Sequence, residues 1–233
     1  MSKYFVAENL RLDWGEFHLD VSFACEKGTM TSIVGPSGSG KSTVLRLISG
    51  LEKQKKQANE LNNTLKIMLD QKDISNLAPA QRGIGMVFQK SALFTHMRVD
   101  DNVAYGLRSQ GIGKKESREI AAEFLKKFNL EGFGSRSSET LSGGEAQRVA
   151  LARTLITKPH LILFDEPLSA LDAPLRKKLA DEIRTLQKEF GFTGIMVTHD
   201  LAEAKAVSDK IILMKSGKLV WQGDAEDFSA DML

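Results

Sequence analysis

Residues 35–42 read Gly-Pro-Ser-Gly-Ser-Gly-Lys-Ser, and Thr43 follows. Glycines at this spacing let backbone N–H groups turn inward around an anion. Gly35, Ser37, Gly38, Ser39 and Gly40 match the cradle of a phosphate-binding loop. Lys41 is placed to reach β- and γ-phosphates, and Ser42 to ligate Mg2+. An apolar stretch (residues 31–34) precedes the loop and reads as a strand. Val44, Leu45, Leu47 and Ile48 follow as a helix, whose positive N-terminal end adds to the attraction. The expected ligand is a nucleotide.

A second constellation lies far downstream. Leu161, Ile162, Leu163 and Phe164 run directly into Asp165 and Glu166. A buried strand of this kind delivers Asp165 to a metal, directly or through water. Glu166, one residue on, is placed to orient and deprotonate an attacking water.

Four short apolar runs must position these groups: residues 31–34, 85–88, 161–164 and 194–197. Runs this short, apolar on both faces, suit buried parallel strands. They are followed by Gly35, by Gln89, by Asp165 with Glu166, and by Thr198 with His199. In an open α/β sheet, ligands gather at the carboxyl ends of the strands, so chemistry collects at one edge. Between the runs lie helical stripes. One is Ile120, Phe124 and Phe128; another is Leu175, Leu179, Ile183, Leu186 and Phe190, with Pro174 in its first turn. Residues 4–10 and 17–25 alternate as strands around a turn at Trp14 and Gly15. Residues 53–64 are polar and read as an exposed loop. Residues 90–158 are mostly helical and suggest a lobe.

The bulk numbers fit one α/β domain. The chain has 233 residues, 42% hydrophobic and 27% charged, with a net charge of +2. A pI of 8.5 is below that of a dedicated nucleic-acid binder, so none is expected as a partner. Three basic clusters read as solvated faces: Lys53, Lys55 and Lys56; Lys114 and Lys115; Arg176, Lys177 and Lys178. Cys25 is the single cysteine and reads as core; with no disulfide possible within the chain, a reducing compartment is expected. The N-terminus lacks the apolar region of a secretory signal, and no apolar run reaches about 18 residues. The expected location is cytoplasmic.

Leu141-Ser142-Gly143-Gly144-Glu145, extended by Gln147, Arg148, Val149 and Ala150, resembles the signature motif of the ABC-transporter ATPase family. The resemblance covers residues 3–223, with the landmarks in the family's order. It implies that the Ser142, Gly143 and Gly144 N–H groups bind the γ-phosphate of ATP held by another subunit. Glu145 stands where many members carry Gln, which implies an altered rate rather than lost function. Gln89 resembles the Q-loop glutamine that contacts Mg2+. Residues 169–172 resemble the D-loop, ending in Asp172. His199 resembles the switch histidine, and Trp14 the aromatic residue that stacks on adenine. The implied catalytic set is Glu166, His199 and Lys41; the implied metal set is Ser42, Gln89 and Asp165. The implied ligands are ATP and Mg2+.

The implied fold is an α/β P-loop NTPase core with a mostly parallel sheet, an N-terminal antiparallel β subdomain and a helical subdomain. As a single domain, residues 1–89 and 159–223 would form the core with the β subdomain, 90–158 the helical subdomain and 224–233 a short tail. Residues 79–108 resemble the importer branch that serves sugars, polyamines, ferric iron, thiamine and sulfate or molybdate. Many of its members carry a C-terminal regulatory domain, which is expected to be absent here, since the sequence ends at Leu233. The resemblance implies membrane permease subunits, a second ATPase subunit, a solute-binding protein in the full system, and a seat on the inner face of the cell membrane. A soluble ABC ATPase of iron–sulfur assembly type and an ABC exporter subunit are the alternative readings.

Overall fold

The computed structural model describes residues 3–54 and 64–232; most of the expected loop at 53–64 lies outside them. The N-terminal alternation folds into a hairpin of β1 (Lys3–Trp14) and β2 (Phe17–Glu26), with Gly15 supplying the positive φ of the turn. Leu19, Val21, Phe23 and Cys25 all face inward at period two. Next come β3 (Met30–Val34), α1 (Lys41–Ser49), β4 (Lys66–Leu69), β5 (Lys72–Asp73) and β6 (Ile84–Phe88). Three helices follow: α2 (Val99–Ser109), α3 (Lys114–Lys126) and α4 (Gly143–Leu155). The chain then alternates through β7 (Leu161–Asp165), α5 (Ala173–Phe190), β8 (Thr193–Thr198), α6 (Leu201–Val207), β9 (Lys210–Lys215) and β10 (Lys218–Asp224).

The strands join in one sheet in the order β5-β4-β1-β2-β10-β9-β3-β8-β7-β6. The run from β9 to β6 is parallel throughout, as the doubly apolar stretches require. β1, β2, β4 and β5 pair antiparallel, and β10 turns back against β9. A single register pair, Lys218 with Asp20, links β10 to β2.

Period two divides the buried strands between two cores. Leu161, Leu163, Ile195 and Val197 point to the face covered by α1 and the N-terminal hairpin. Ile162, Phe164 and Met196 point to the opposite face, where α2, α3, α4 and α5 pack. Each fully buried side chain of this size contributes about 1.5–3 kcal/mol. A third, smaller core sets α6 against β9 and closes over Phe228 and Trp221, whose rings lie 5.1 Å apart. After β10, Ala225 and Phe228 are buried in this core and Met232 packs against it.

One stripe differs from expectation. The buried row of α3 is Ser117, Ala121 and Leu125, one position along from the expected row. Ile120 is 38% exposed, and Phe128 lies beyond the helix end. Ser117 and Ala121 are fully buried, and Ala121 and Leu125 join the core that holds Val99, Val103 and Leu107 of α2. Phe124 is partly buried against the same core, its ring 5.3 Å from that of buried Phe128 and 5.6 Å from that of Phe190. The stripe on α5 holds as expected: Leu179, Ile183 and Leu186 are buried, and Leu175 and Phe190 are partly so.

Arg82 braces the end of α1. Its guanidinium, nearly fully buried, donates to the Leu47, Ile48, Ser75 and Leu77 carbonyls at 2.6–3.1 Å. A cation at a helix C-terminus satisfies carbonyls that have no partner within the helix and matches the helix dipole.

Candidate nucleotide site

Register alone brings the reactive residues together. Val34 pairs with Thr198, Asp165 with Val197, and Phe88 with Asp165. The residues just past each pair, Gly35, His199, Glu166 and Gln89, therefore emerge side by side at one sheet edge.

The loop leaving β3 is shaped by close approaches. A Cβ on Gly35 would run into the Met214 carbonyl. Gly40 has φ 97° and caps α1 without a side chain, and a Cβ there would lie 2.9 Å from the Phe17 ring. The helix start is thus left to an incoming acceptor rather than a side-chain cap. Lys41 is only 5% exposed, and its ammonium donates to the Gly35 and Pro36 carbonyls at 2.8 and 2.9 Å. Burial pushes the Lys41 pKa down, while Glu166 and Asp165 pull it back. The Ser39 hydroxyl is buried without a hydrogen-bond partner. Ser37 and Gly38 are exposed at the loop tip, and Thr43 is half-buried in the first turn.

Ser42 Oγ donates to Asp165 Oδ1 at 2.7 Å, so the two candidate metal ligands already touch across 123 residues of sequence. Glu166 follows in a left-handed conformation with φ 46°, unusual outside glycine. Its N–H donates to the Val197 carbonyl and its own carbonyl accepts from Ser169 Oγ, which hold the turn. This turn swings the Glu166 carboxylate to within 3.3 Å of His199 Nδ1. Gln89 is exposed just past β6. Asp172 caps α5, accepting from the Leu175 N–H at 2.9 Å.

Trp14 is 49% exposed at the hairpin end, paired with Phe17, whose ring covers Gly40. An aromatic face is therefore presented beside the phosphate loop. The segment from Ser142 to Glu145 is elsewhere, at the start of α4. Ser142 and Glu145 form a reciprocal capping box: the Ser142 N–H donates to Glu145 Oε2 at 2.7 Å, and the Glu145 N–H to Ser142 Oγ at 3.4 Å. The hydrogen bond from Ser142 holds the Glu145 carboxyl below its usual range, with Arg136 and Arg148 adding to it. Glu145 thus folds back on the helix start and occupies the Ser142 N–H. Gly144 faces Leu175 so closely that a Cβ would lie 3.3 Å from it. Among the described residues, no hydrogen bond or ion pair of Ser142 or Glu145 reaches residues 35–43.

Three residues near the site escaped sequence reasoning. Arg176 was expected on a solvated face; instead it donates to Asp200 Oδ2 at 3.0 Å and to the Leu171 carbonyl at 2.9 Å. Asp200 caps α6, and Glu203 is buried beneath it. The signal for these two was present, since Asp200 and Glu203 stand three apart at a helix start.

Comparison with known proteins agrees with this geometry. The sequence pattern of the family described as "ABC transporter" matches residues 19–169. The Fe(3+) ions import ATP-binding protein FbpC of Rhizobium etli is 45% identical over 236 residues, covering 97% of this chain and 65% of that protein. Its counterpart from Brucella abortus (strain 2308) is 47% identical over 222 residues, covering 94% and 61%. The chain thus spans less than two thirds of the length of these curated relatives. The solved structure of cbiO1 from Clostridium perfringens, described as part of the ABC transporter complex cbiONQ, superimposes with a TM-score of 0.84. It is 27% identical and the match covers 97% of this chain and 90% of that one. Motif order, sheet-edge geometry and these likenesses converge: the chain belongs to the ABC transporter family.

Proposed function

We propose that the chain binds ATP with Mg2+ at this sheet edge and hydrolyses it to drive solute import through a separate membrane permease. The observation that supports this most is the meeting of Ser42 with Asp165 and of Glu166 with His199 at adjoining strand ends. Lys41 and the loop from Gly35 to Thr43 hold the phosphates, and the partnerless Ser39 hydroxyl offers them a further donor. Trp14 stacks on the base. Ser42, Asp165 and Gln89 would hold the metal. A hydroxyl, a carboxylate and an amide oxygen suit a hard cation that takes the rest of its shell from phosphates and water. The chemistry Mg2+ supplies when bound is neutralisation of charge on the phosphate oxygens. Glu166 takes the proton of the attacking water. His199, against the Glu166 carboxylate, fixes its orientation and holds the γ-phosphate in reach.

Ser142, Gly143, Gly144 and Glu145 lie away from the phosphate loop, so they serve ATP bound by a second copy, with Asp172 at the contact between the two. On this reading residues 1–89 and 159–223 form the core with the β subdomain, 90–158 the helical subdomain and 224–233 a short tail. The working place is the inner face of the membrane, beside permease subunits and a solute-binding protein. No helix among the described residues is long and apolar enough to cross a membrane. The relatives' names carry import of Fe(3+) ions, which makes ferric iron the first cargo to test. The experiment is affinity capture of this chain from detergent-solubilised membranes of its source, with partners identified by mass spectrometry. A polytopic membrane protein is expected; recovery of soluble scaffold proteins alone would overturn the importer role.

A further inference from the structure

His199 must be held still to act on Glu166, yet its own ring is half exposed. Its backbone is held by the residues on either side. Thr198 Oγ1 accepts from the Asp200 N–H at 3.0 Å and donates to Glu203 Oε2 at 2.9 Å. Asp200 Oδ1 accepts from the Glu203 N–H at 3.1 Å, and Oδ2 accepts from Arg176 Nη1 at 3.0 Å. Arg176 Nη2 meanwhile binds the Leu171 carbonyl at 2.9 Å. Arg176 stands one turn into α5, with its own N–H on the Asp172 carbonyl. One planar guanidinium therefore ties the segment entering α5 to the segment carrying His199. A fork of fixed geometry transmits position better than a point charge does. Both carboxylate oxygens of Asp200 are spoken for, one by Arg176 and one by the α6 start.

We propose that Arg176 and Asp200 are positioning residues for catalysis, a strut that sets His199 against Glu166 from the Leu171 backbone. Neither touches the phosphate loop in any hydrogen bond or ion pair among the described residues, so the strut acts through His199. It rests on the proposed ATPase reading for its catalytic consequence, but its structural claim stands apart from that reading and is tested separately.

The test uses the full chain and the variants Arg176→Gln, Arg176→Lys, Asp200→Asn and His199→Ala. The first readout is histidine ring NMR, tractable because the chain has four histidines, with the His199 signal assigned by its loss in His199→Ala. Arg176→Gln is expected to shift the His199 signal and leave those of His18, His96 and His160 in place. An unmoved His199 signal in a folded variant overturns the strut, whether or not the chain hydrolyses ATP. The second readout is steady-state hydrolysis beside binding of a fluorescent ATP analogue. Loss of an orienting contact predicts a roughly tenfold fall in kcat for Arg176→Gln with KM and analogue affinity within about twofold. Arg176→Lys should recover part of that loss, and Arg176→Gln should cost nothing further in a His199→Ala background. A loss that is fully additive with His199→Ala, or that appears in KM and affinity, contradicts the strut. Absence of hydrolysis by the unmodified chain, with the NMR shift present, would count against the ATPase reading and leave the strut standing.

Discussion

At the residue scale, the telling group is Glu203. It is 5% exposed, and Oε1 has no hydrogen-bond partner. Burial pushes its pKa from near 4.5 up to about 7. Facing it, Thr198 donates and lowers the value, Asp200 raises it, and Arg176 and His199 lower it. Because the folded value lies above the unfolded one, the proton favours the folded state. The stability this lends is complete below about pH 4.5 and is lost as pH rises through about 7. The full span corresponds to about 3 kcal/mol. Glu203→Gln keeps the shape of the protonated acid and removes the titration. Urea unfolding of both proteins from pH 5 to 8 should show the unmodified chain losing stability relative to the variant as pH rises. A constant difference across that range would mean that Glu203 does not carry this proton.

At the scale of elements, α1 is the part on which the site depends most directly, because its first turn faces the phosphate loop and its last turn rests on Arg82. Removing that guanidinium takes a donor from the Leu47, Ile48, Ser75 and Leu77 carbonyls, of which Leu47 keeps the Gly50 N–H. Arg82→Met should lower unfolding stability by roughly 2–4 kcal/mol with the urea m-value unchanged, and Arg82→Lys should restore only part. Stability equal to the unmodified chain would show that water serves those carbonyls as well. The start and strand context of α1 were legible in the sequence, since glycines, lysine and apolar period all lie within 18 residues. The role of Arg82 was not, because its four acceptors come from two segments, the end of α1 and residues 75–77, that only the fold brings together. The α3 stripe was missed for a similar reason. Large apolar side chains mark a periodic row, but the buried row here includes the small Ser117 and Ala121.

At the scale of the whole molecule, the parallel strands and their shared reactive edge followed from apolar runs ending in polar residues. That pattern reports burial on both faces, which β3, β7 and β8 have between two cores; β6, the edge strand, is only half-buried and Phe88 is exposed. What it could not report was strand order. β8 lies between β3 and β7, and this places His199 beside both the phosphate loop and Glu166. Nor could it show that Glu145 closes on Ser142, since a capping box and a phosphate contact use the same residues at the same spacing. The assembled edge makes a single demand. Lys41 and Ser42 arrive at the start of α1, Asp165 and Glu166 at the end of β7 and His199 just past β8, so binding and bond cleavage are separable. The most direct measurement compares Glu166→Gln with the unmodified chain, following Mg2+-dependent phosphate release and ATP binding side by side. Binding within about twofold and turnover reduced by at least about a hundredfold are expected, the loss typical of removing a general base. Turnover near that of the unmodified chain would contradict the assignment of Glu166 as the base and, with it, the account of this edge as a hydrolytic site.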